Sequence, residues 1–369
     1  MGVMEGCLKL TKEIAYKAIT DFFSAEKPFV LFGTGTSCAL DLAFGMTALE
    51  KHLRQEFSNG LNATQMEQWQ LVLNALDTSP HDFESAMDFI QDAEFTNLIV
   101  EATANFVAHH DDIYSYQIMS GEKEWPACRL LSKLVDTLPP NDKQLHVATP
   151  NYDLLAEYSF ISNEIPYITG FYGSYCRKYD WNQARKIVQS VSTNQGKTKR
   201  YPKIIEQNHI RLHKPHGSLN TFEINSQLIE CDGWIIKKPN NVVRSMITPG
   251  TAKYKRLHND RAQLAEYDRA VSAHNSFLFL GFGFNDSQLV NNTFRQKLEK
   301  GRCPALVITR DSNPRIEEWL VNCPNMWIIC KQENNEHTRV FNSKFDDWLY
   351  LEDKELWRFN YFTSEFLGD

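Results

Sequence analysis

No two of the eight cysteines stand in a C-x-x-C pair; Cys7, Cys38, Cys128, Cys176, Cys231, Cys303, Cys323 and Cys330 are scattered along the 369 residues. A zinc ribbon needs such pairs to bring four thiolates to one tetrahedral ion. The spacing therefore predicts no structural zinc and no bound metal, and the cysteines read as mostly buried free thiols. Long apolar runs are also missing. The strongest, Phe277 to Phe284, falls far short of the roughly 20 residues of a membrane span. Met1 to Lys12 has neither an apolar centre nor a cleavage-like site, so no secretory signal is expected and the cytoplasm is the expected location. Excess positive charge is lacking too, with 39 Lys plus Arg against 46 Asp plus Glu. An acidic chain is a poor candidate for wrapping nucleic acid. Internal repeats and low-complexity tracts are absent.

What is present is enough apolar content, 42%, for a sizeable core. Lys27-Pro28-Phe29-Val30-Leu31-Phe32 reads as a buried strand. It ends in Gly33-Thr34-Gly35-Thr36-Ser37 and runs into an apolar-periodic helix from about Ala39 to Leu53. From about Ala63 to Leu138 apolar residues recur at helical spacing, punctuated by Pro80, Pro126 and Pro139-Pro140. This predicts an all-helical insertion of about four helices over 57–143. Strand-like runs return at Leu145–Thr149, Ile165–Thr169, Ile210–Pro215, Phe277–Gly281, Ala305–Thr309 and Met326–Cys330, with helical patterns at Tyr152–Phe160, Lys255–Ala273, Ser287–Leu298 and Pro314–Leu320. Short alternating runs between Asn220 and Val243 suggest a hairpin. The expected fold class is α/β and Rossmann-like: a mostly parallel sheet with helices on both faces, formed mainly by 27–56 and 144–349. The tail, 350–369, is rich in aromatics and is expected to dock on its own core or on a neighbouring subunit.

Four motifs sit at strand ends. Gly33-Thr34-Gly35-Thr36-Ser37 offers close backbone approach to a phosphate, or an ordinary tight turn. Thr149-Pro150-Asn151-Tyr152-Asp153 offers polar groups at the edge where α/β sheets bind ligands, or a helix cap. Lys214-Pro215-His216-Gly217-Ser218 exposes an imidazole suited to proton transfer near neutrality, or holds a structural histidine, with His213 as a rival. Gly281-Phe282-Gly283-Phe284-Asn285-Asp286 is a second glycine turn after an apolar strand, or a merely relaxed loop.

In this order the four motifs resemble those of the sirtuin superfamily: G-A-G-x-S, T-x-N-x-D, H-G, and a final glycine loop. The matches are Gly33, Gly35 and Ser37; Thr149, Asn151 and Asp153; His216 and Gly217; Gly281 and Gly283. The resemblance implies an NAD+ site. Asn151 would hold the nicotinamide ribose and position water, and His216 would be the general base. Ser37 and the glycine turn would hold the pyrophosphate, Asp153 would meet the carboxamide, and Thr309 would lie near the adenosine. The implied binding set is Gly33, Thr34, Gly35, Thr36, Ser37, Asp41, Thr149, Asp153, Gly281, Gly283, Phe284 and Thr309.

Three departures matter. The zinc-binding cysteine pairs of deacylating sirtuins are missing. Cys38-Ala39-Leu40-Asp41-Leu42-Ala43-Phe44 stands where G-I-P-D-F-R is usual, and the interval from Asp153 to His216 is long. The pattern is closer to the bacterial sirtuin-like NAD+ hydrolases of antiphage systems, which implies cleavage to nicotinamide and ADP-ribose rather than deacylation. Such enzymes need gating, which implies a homo-oligomer or a separate partner; a stand-alone chain of this size resembles the subunit paired with a HerA-type ATPase. Two other readings stay open: a regulatory module that binds NAD+ or ADP-ribose without turnover, and a nucleic-acid-acting subunit. The latter rests on the basic residues Arg177, Lys178, Arg185, Lys186, Lys197, Lys199, Arg200 and Lys203. Those read equally as a solvated or partner-facing surface.

Overall fold

Strand Phe29–Phe32 is wholly buried because both of its faces are apolar. Val30 and Phe32 enter one core with Leu145, Val147, Ile210, Leu212, Leu278 and Leu280. Phe29 and Leu31 enter the opposite core with Phe277, Phe279, Ala305, Val307 and Ile328. A continuous apolar run of this kind is what a parallel strand covered by helices on both sides requires. The computed structural model describes residues 9–78, 83–192, 203–250 and 260–368.

The main sheet has nine strands, and Phe29–Phe32 lies inside it. On one side it pairs in parallel with Gln144–Ala148, then come His209–His213 and Tyr167–Ile168. On the other side it pairs in parallel with Phe277–Leu280, followed by Ala305–Ile308 and Met326–Lys331. Two antiparallel strands, Thr338–Asn342 and Leu349–Leu351, finish that edge. Helices Lys12–Ala25, Cys128–Asp136, Leu155–Ser162 and Phe359–Phe366 feed the first core. Helices Asp260–Ala273 and Pro314–Asn322 feed the second. The fold is α/β and Rossmann-like, with helices on both faces of a mostly parallel sheet.

The chain leaves Phe29–Phe32 to one side and returns to its other side only at Phe277–Leu280. The order of strands thus reverses between these two. The crevice beyond the carboxyl ends of strands at such a reversal is where open α/β sheets bind ligands.

Several elements differ from the sequence expectation. The helix expected over Ala39–Leu53 is broken into a short turn Gly35–Cys38, a 3-10 turn Leu42–Phe44 and a helix Met46–Glu56. Asp41 breaks it: its backbone is extended and its carboxylate accepts from the Ala43 amide at 2.9 Å. A small antiparallel sheet, ordered Val243–Met246, Gly217–Ile224, Gln227–Glu230, Arg177–Tyr179 and Phe171–Tyr172, contains the expected hairpin and also accounts for part of the stretch from Gly170 onward. Lys12–Ala25 and the antiparallel edge strands had no counterpart in the sequence reading.

Leu49, Leu53, Phe57, Trp69, Val72, Leu76, Phe83, Phe95, Ile99 and Ala102 form a separate helical core. Farther on, Tyr114, Ile118 and the helix Cys128–Asp136 belong to the core of the sheet. The 27-residue helix Ala93–Met119, capped by Asp92, spans both cores. The aromatic tail docks on its own chain: Leu356, Phe359 and Phe362 are buried in the sheet's first core. No helix among the described residues is long and apolar enough to cross a membrane.

Candidate active site

All four motifs follow directly from four adjacent strands of the sheet, Phe277–Leu280, Phe29–Phe32, Gln144–Ala148 and His209–His213. Parallel pairing places their carboxyl ends together, so the motifs meet at one edge. There they wall a cavity of about 240 Å³ with Gly33, Thr34, Pro150, Asn151, Tyr152, Asp153, His216, Phe282, Gly283, Asn285 and Asp286. Phe44, Met46 and Leu49 close one side; Phe83, Glu84, Phe106 and Val107 of the helical region close another.

The two glycine turns lie face to face. Gly35 donates to the Gly281 carbonyl at 3.0 Å. A Cβ on Gly35 would come within 2.7 Å of the Gly281 Cα. Glycine is thus required here for backbone contact. Other amides of the two turns bond within the protein: Gly33 donates to Leu280, Thr36 to Gly33 and Ser37 to Thr34, while Gly281 donates to Ile308.

Asn151 is held by a local chain of bonds. Its amide donates to Thr149 Oγ1 at 3.0 Å, and its Nδ2 donates to the Gly33 carbonyl at 3.2 Å and to Ser37 Oγ at 3.0 Å. Its Oδ1 is buried and has no partner. Ser37 in turn donates to Asp153 Oδ2 at 2.8 Å. Burial pushes the Asp153 carboxyl up to about 6, against the pull of the Lys214 ammonium and the Ser37 hydroxyl. Lys214 Nζ bonds the Asp153 carbonyl and Glu157 Oε1, each at 2.7 Å, and so braces the loop from behind. Asp111, on the long helix, accepts from the Leu154 amide and from Tyr158 Oη, each at 2.7 Å. Burial raises Asp111 to about 7.

His216 is 3% exposed and shares a short 2.5 Å hydrogen bond through Nε2 with Asp286 Oδ2. The other Asp286 oxygen accepts from the amides of Gln288 and Leu289, which fixes the carboxylate. His216 Nδ1 is buried without a partner. A carboxylate on Nε2 favours the tautomer with the proton there, leaving Nδ1 as the bare acceptor. Gly217 follows at φ +69°, and a Cβ there would come within 1.8 Å of the Ser245 carbonyl. The sharp turn after His216 therefore needs glycine.

Of the residues expected from the sequence, Gly33, Thr34, Asn151, Asp153, His216 and Gly283 line the cavity. Thr36, Ser37 and Thr149 are buried and support its wall. Gly35 and Gly281 join the two turns. Asp41 does not line the cavity; its Oδ2 accepts from Tyr114 Oη at 2.9 Å. Phe284 is buried against Phe279 and Trp319 rather than in the cavity. Thr309 is buried and sits 3.4 Å from the Asp311 carbonyl. Asp286 was missed as a site residue, although it ends the fourth motif. Asp111 and Glu157 had no sequence signal, because a lone carboxylate in a helix reads as solvated.

Of the basic stretch, Arg177 pairs with Glu230 and Asp232, and Arg185 pairs with Glu206. Lys197, Lys199 and Arg200 lie outside the described residues. Among the described residues no group of three or more His, Cys, Asp or Glu side chains could hold a metal ion.

No curated protein matches the chain. A solved structure reported under the words "Structural Basis for the Mechanism and Regulation of Sir2 Enzymes" aligns with 82% of this chain and 88% of its own, at 10% identity and a TM-score of 0.35. The family model for a SIR2-like domain matches residues 145–325, a span that holds Thr149, Asn151, Asp153, His216, Gly281 and Asp286. The matched span is just under half of the chain.

Proposed function

We propose that the chain is an NAD+ glycohydrolase that cleaves the nicotinamide–ribose bond to give nicotinamide and ADP-ribose. The observation that carries this reading is the pair of buried, unpartnered acceptors, Asn151 Oδ1 and His216 Nδ1, on the motif loops that wall one cavity. Buried polar atoms without partners are costly, and a ligand or a reacting water is their natural complement. In the reaction the C–N bond to nicotinamide breaks with its electron pair leaving on nitrogen. Water then adds to the oxocarbenium-like ribose and loses its proton to His216 Nδ1. Asp286 holds the imidazole and stabilises its charged form, and Asn151 orients the ribose or the water. Such chemistry needs geometry and one base more than a strong acid.

The same reading extends to biology by resemblance to antiphage systems. Hydrolysis would deplete NAD+ on infection, gated by self-assembly or by a partner such as a HerA-type ATPase. Deacylation is the weaker reading, because the sequence lacks the zinc-binding cysteine pairs of deacylating sirtuins.

The test follows nicotinamide and ADP-ribose released from NAD+ by the purified protein. Turnover is expected from the parent and from neither Asn151→Ala nor His216→Ala. Saturable NAD+ binding without release would favour a regulatory module. A folded parent that neither binds nor cleaves NAD+ would sink the proposal.

A further inference from the structure

We propose that Cys176 and Cys231 are a thiol pair that closes reversibly into a disulfide and clasps the two strands bounding a second cavity. Their Sγ atoms lie 3.5 Å apart, both as free thiols. The placement follows from strand register. Arg177–Tyr179 pairs antiparallel with Gln227–Glu230, with Glu230 opposite Arg177 and Ile229 opposite Lys178. One further step of that register sets Cys231 opposite Cys176, where cross-strand side chains on one face are close neighbours.

The two thiols differ in access. Cys176 is exposed, whereas Cys231 is fully buried. Burial pushes the Cys231 thiol up to about 11. An oxidant therefore meets Cys176 first, and Cys231 waits beside it as the resolving thiol. With a hydroperoxide, the Cys176 thiolate attacks one peroxide oxygen. The O–O bond breaks, giving a sulfenic acid and a hydroxide or alkoxide that takes up a proton. Cys231 sulfur then attacks the Cys176 sulfur, the S–O bond breaks, and water leaves with the Cys231 proton. Two thiols lose two electrons and two protons, and the peroxide takes up both.

The clasp is well placed to act on structure. Arg177, Glu230 and Asp232, the immediate neighbours of the two cysteines, line a separate cavity of about 350 Å³ with Glu157 and Tyr158. Glu157 is the residue that anchors Lys214, which braces Asp153. The Cys231 amide also donates to the Asn220 carbonyl at 2.8 Å, on the strand that begins just after His216. Oxidation would tie these strands together without touching the residues that line the first cavity.

The experiment treats the reduced full chain with hydrogen peroxide, blocks remaining thiols with an alkylating reagent, and maps peptides without reduction. The expected result is one linked peptide pair containing Cys176 and Cys231, lighter by two hydrogens and restored by dithiothreitol. The oxidised protein should melt at higher temperature than the reduced one, and Cys176→Ser should lose both the link and the shift. In Cys231→Ser, Cys176 should pass on to sulfinic acid. Over-oxidation of Cys176 in the parent with Cys231 still alkylated, or linkage of Cys176 to a different cysteine, would overturn the proposal.

Discussion

Asp286 holds His216 by Nε2 while its own second oxygen is fixed by two amides. Asp286→Asn keeps the shape but can donate to the imidazole instead of accepting from it. The proton would then move to Nδ1, and the base would be lost. Turnover of NAD+ should fall by about 100-fold or more, within the range general-base groups contribute. Affinity for NAD+, measured on the inactive protein, should change little. Unaltered turnover would show that the dyad is not used. Asp286 was within reach of sequence reading, since it closes the fourth motif; what the sequence could not supply was its partner, 70 residues away. The same holds for Ser37, whose bonds to Asn151 and Asp153 join two motifs far apart in sequence.

Elements were legible where their periodicity was local. The parallel strands stand out as apolar runs, whereas the reversal between Phe29–Phe32 and Phe277–Leu280 rests on long-range strand pairing that no local pattern carries. The tail helix Phe359–Phe366 was not legible, because only tertiary contact separates it from an exposed aromatic stretch. Phe362 is 0% exposed and meets Phe23 of the first helix at 5.8 Å between ring centroids. Phe362→Ala should cost about 3–5 kcal/mol in urea unfolding, and truncation after Leu349 should leave an aggregating chain.

A second group joins elements through histidines: His146 and His213 on neighbouring strands lie 3.1 Å apart, and His274 follows the helix Asp260–Ala273. Burial lowers all three, with Arg211 and Lys27 adding to the effect on His146. The unfolded chain takes up protons below about 6.5 that the folded chain refuses. This stability is therefore intact above that value and is lost as pH falls below it. Asp111, Asp153 and Glu230, raised to about 7, 6 and 7, act with the opposite sign as pH rises from about 4. Comparison with His274→Gln cancels these carboxyls. Between about pH 7.5 and about pH 5.5 the parent should lose more stability than the variant, by up to about 1.4 kcal/mol per pH unit below 6.5.

At the scale of the molecule, the cavity lies between the sheet edge and the helical region, which the long helix Ala93–Met119 also joins. The sheet edge supplies Asn151, His216 and Asp286, and the helical region supplies Phe83, Phe106 and Val107. A ligand held between them stabilises both, because it binds only when the two walls face each other. In His216→Ala, which should bind without turnover, NAD+ at about 100 times its Kd should add about 2.7 kcal/mol to stability. Phe106 tests the helical wall separately. Its ring stacks on His52 at 4.7 Å and takes no part in the Asn151 and His216 bonds. Removing it strips apolar contact that ground state and transition state share, and such loss of uniform binding raises KM and spares kcat. For Phe106→Ala we expect KM to rise about tenfold, the equivalent of about 1.4 kcal/mol, with kcat within a factor of about two. A fall in kcat with unchanged KM would mean that the helical region acts on the chemistry itself and not only as a wall.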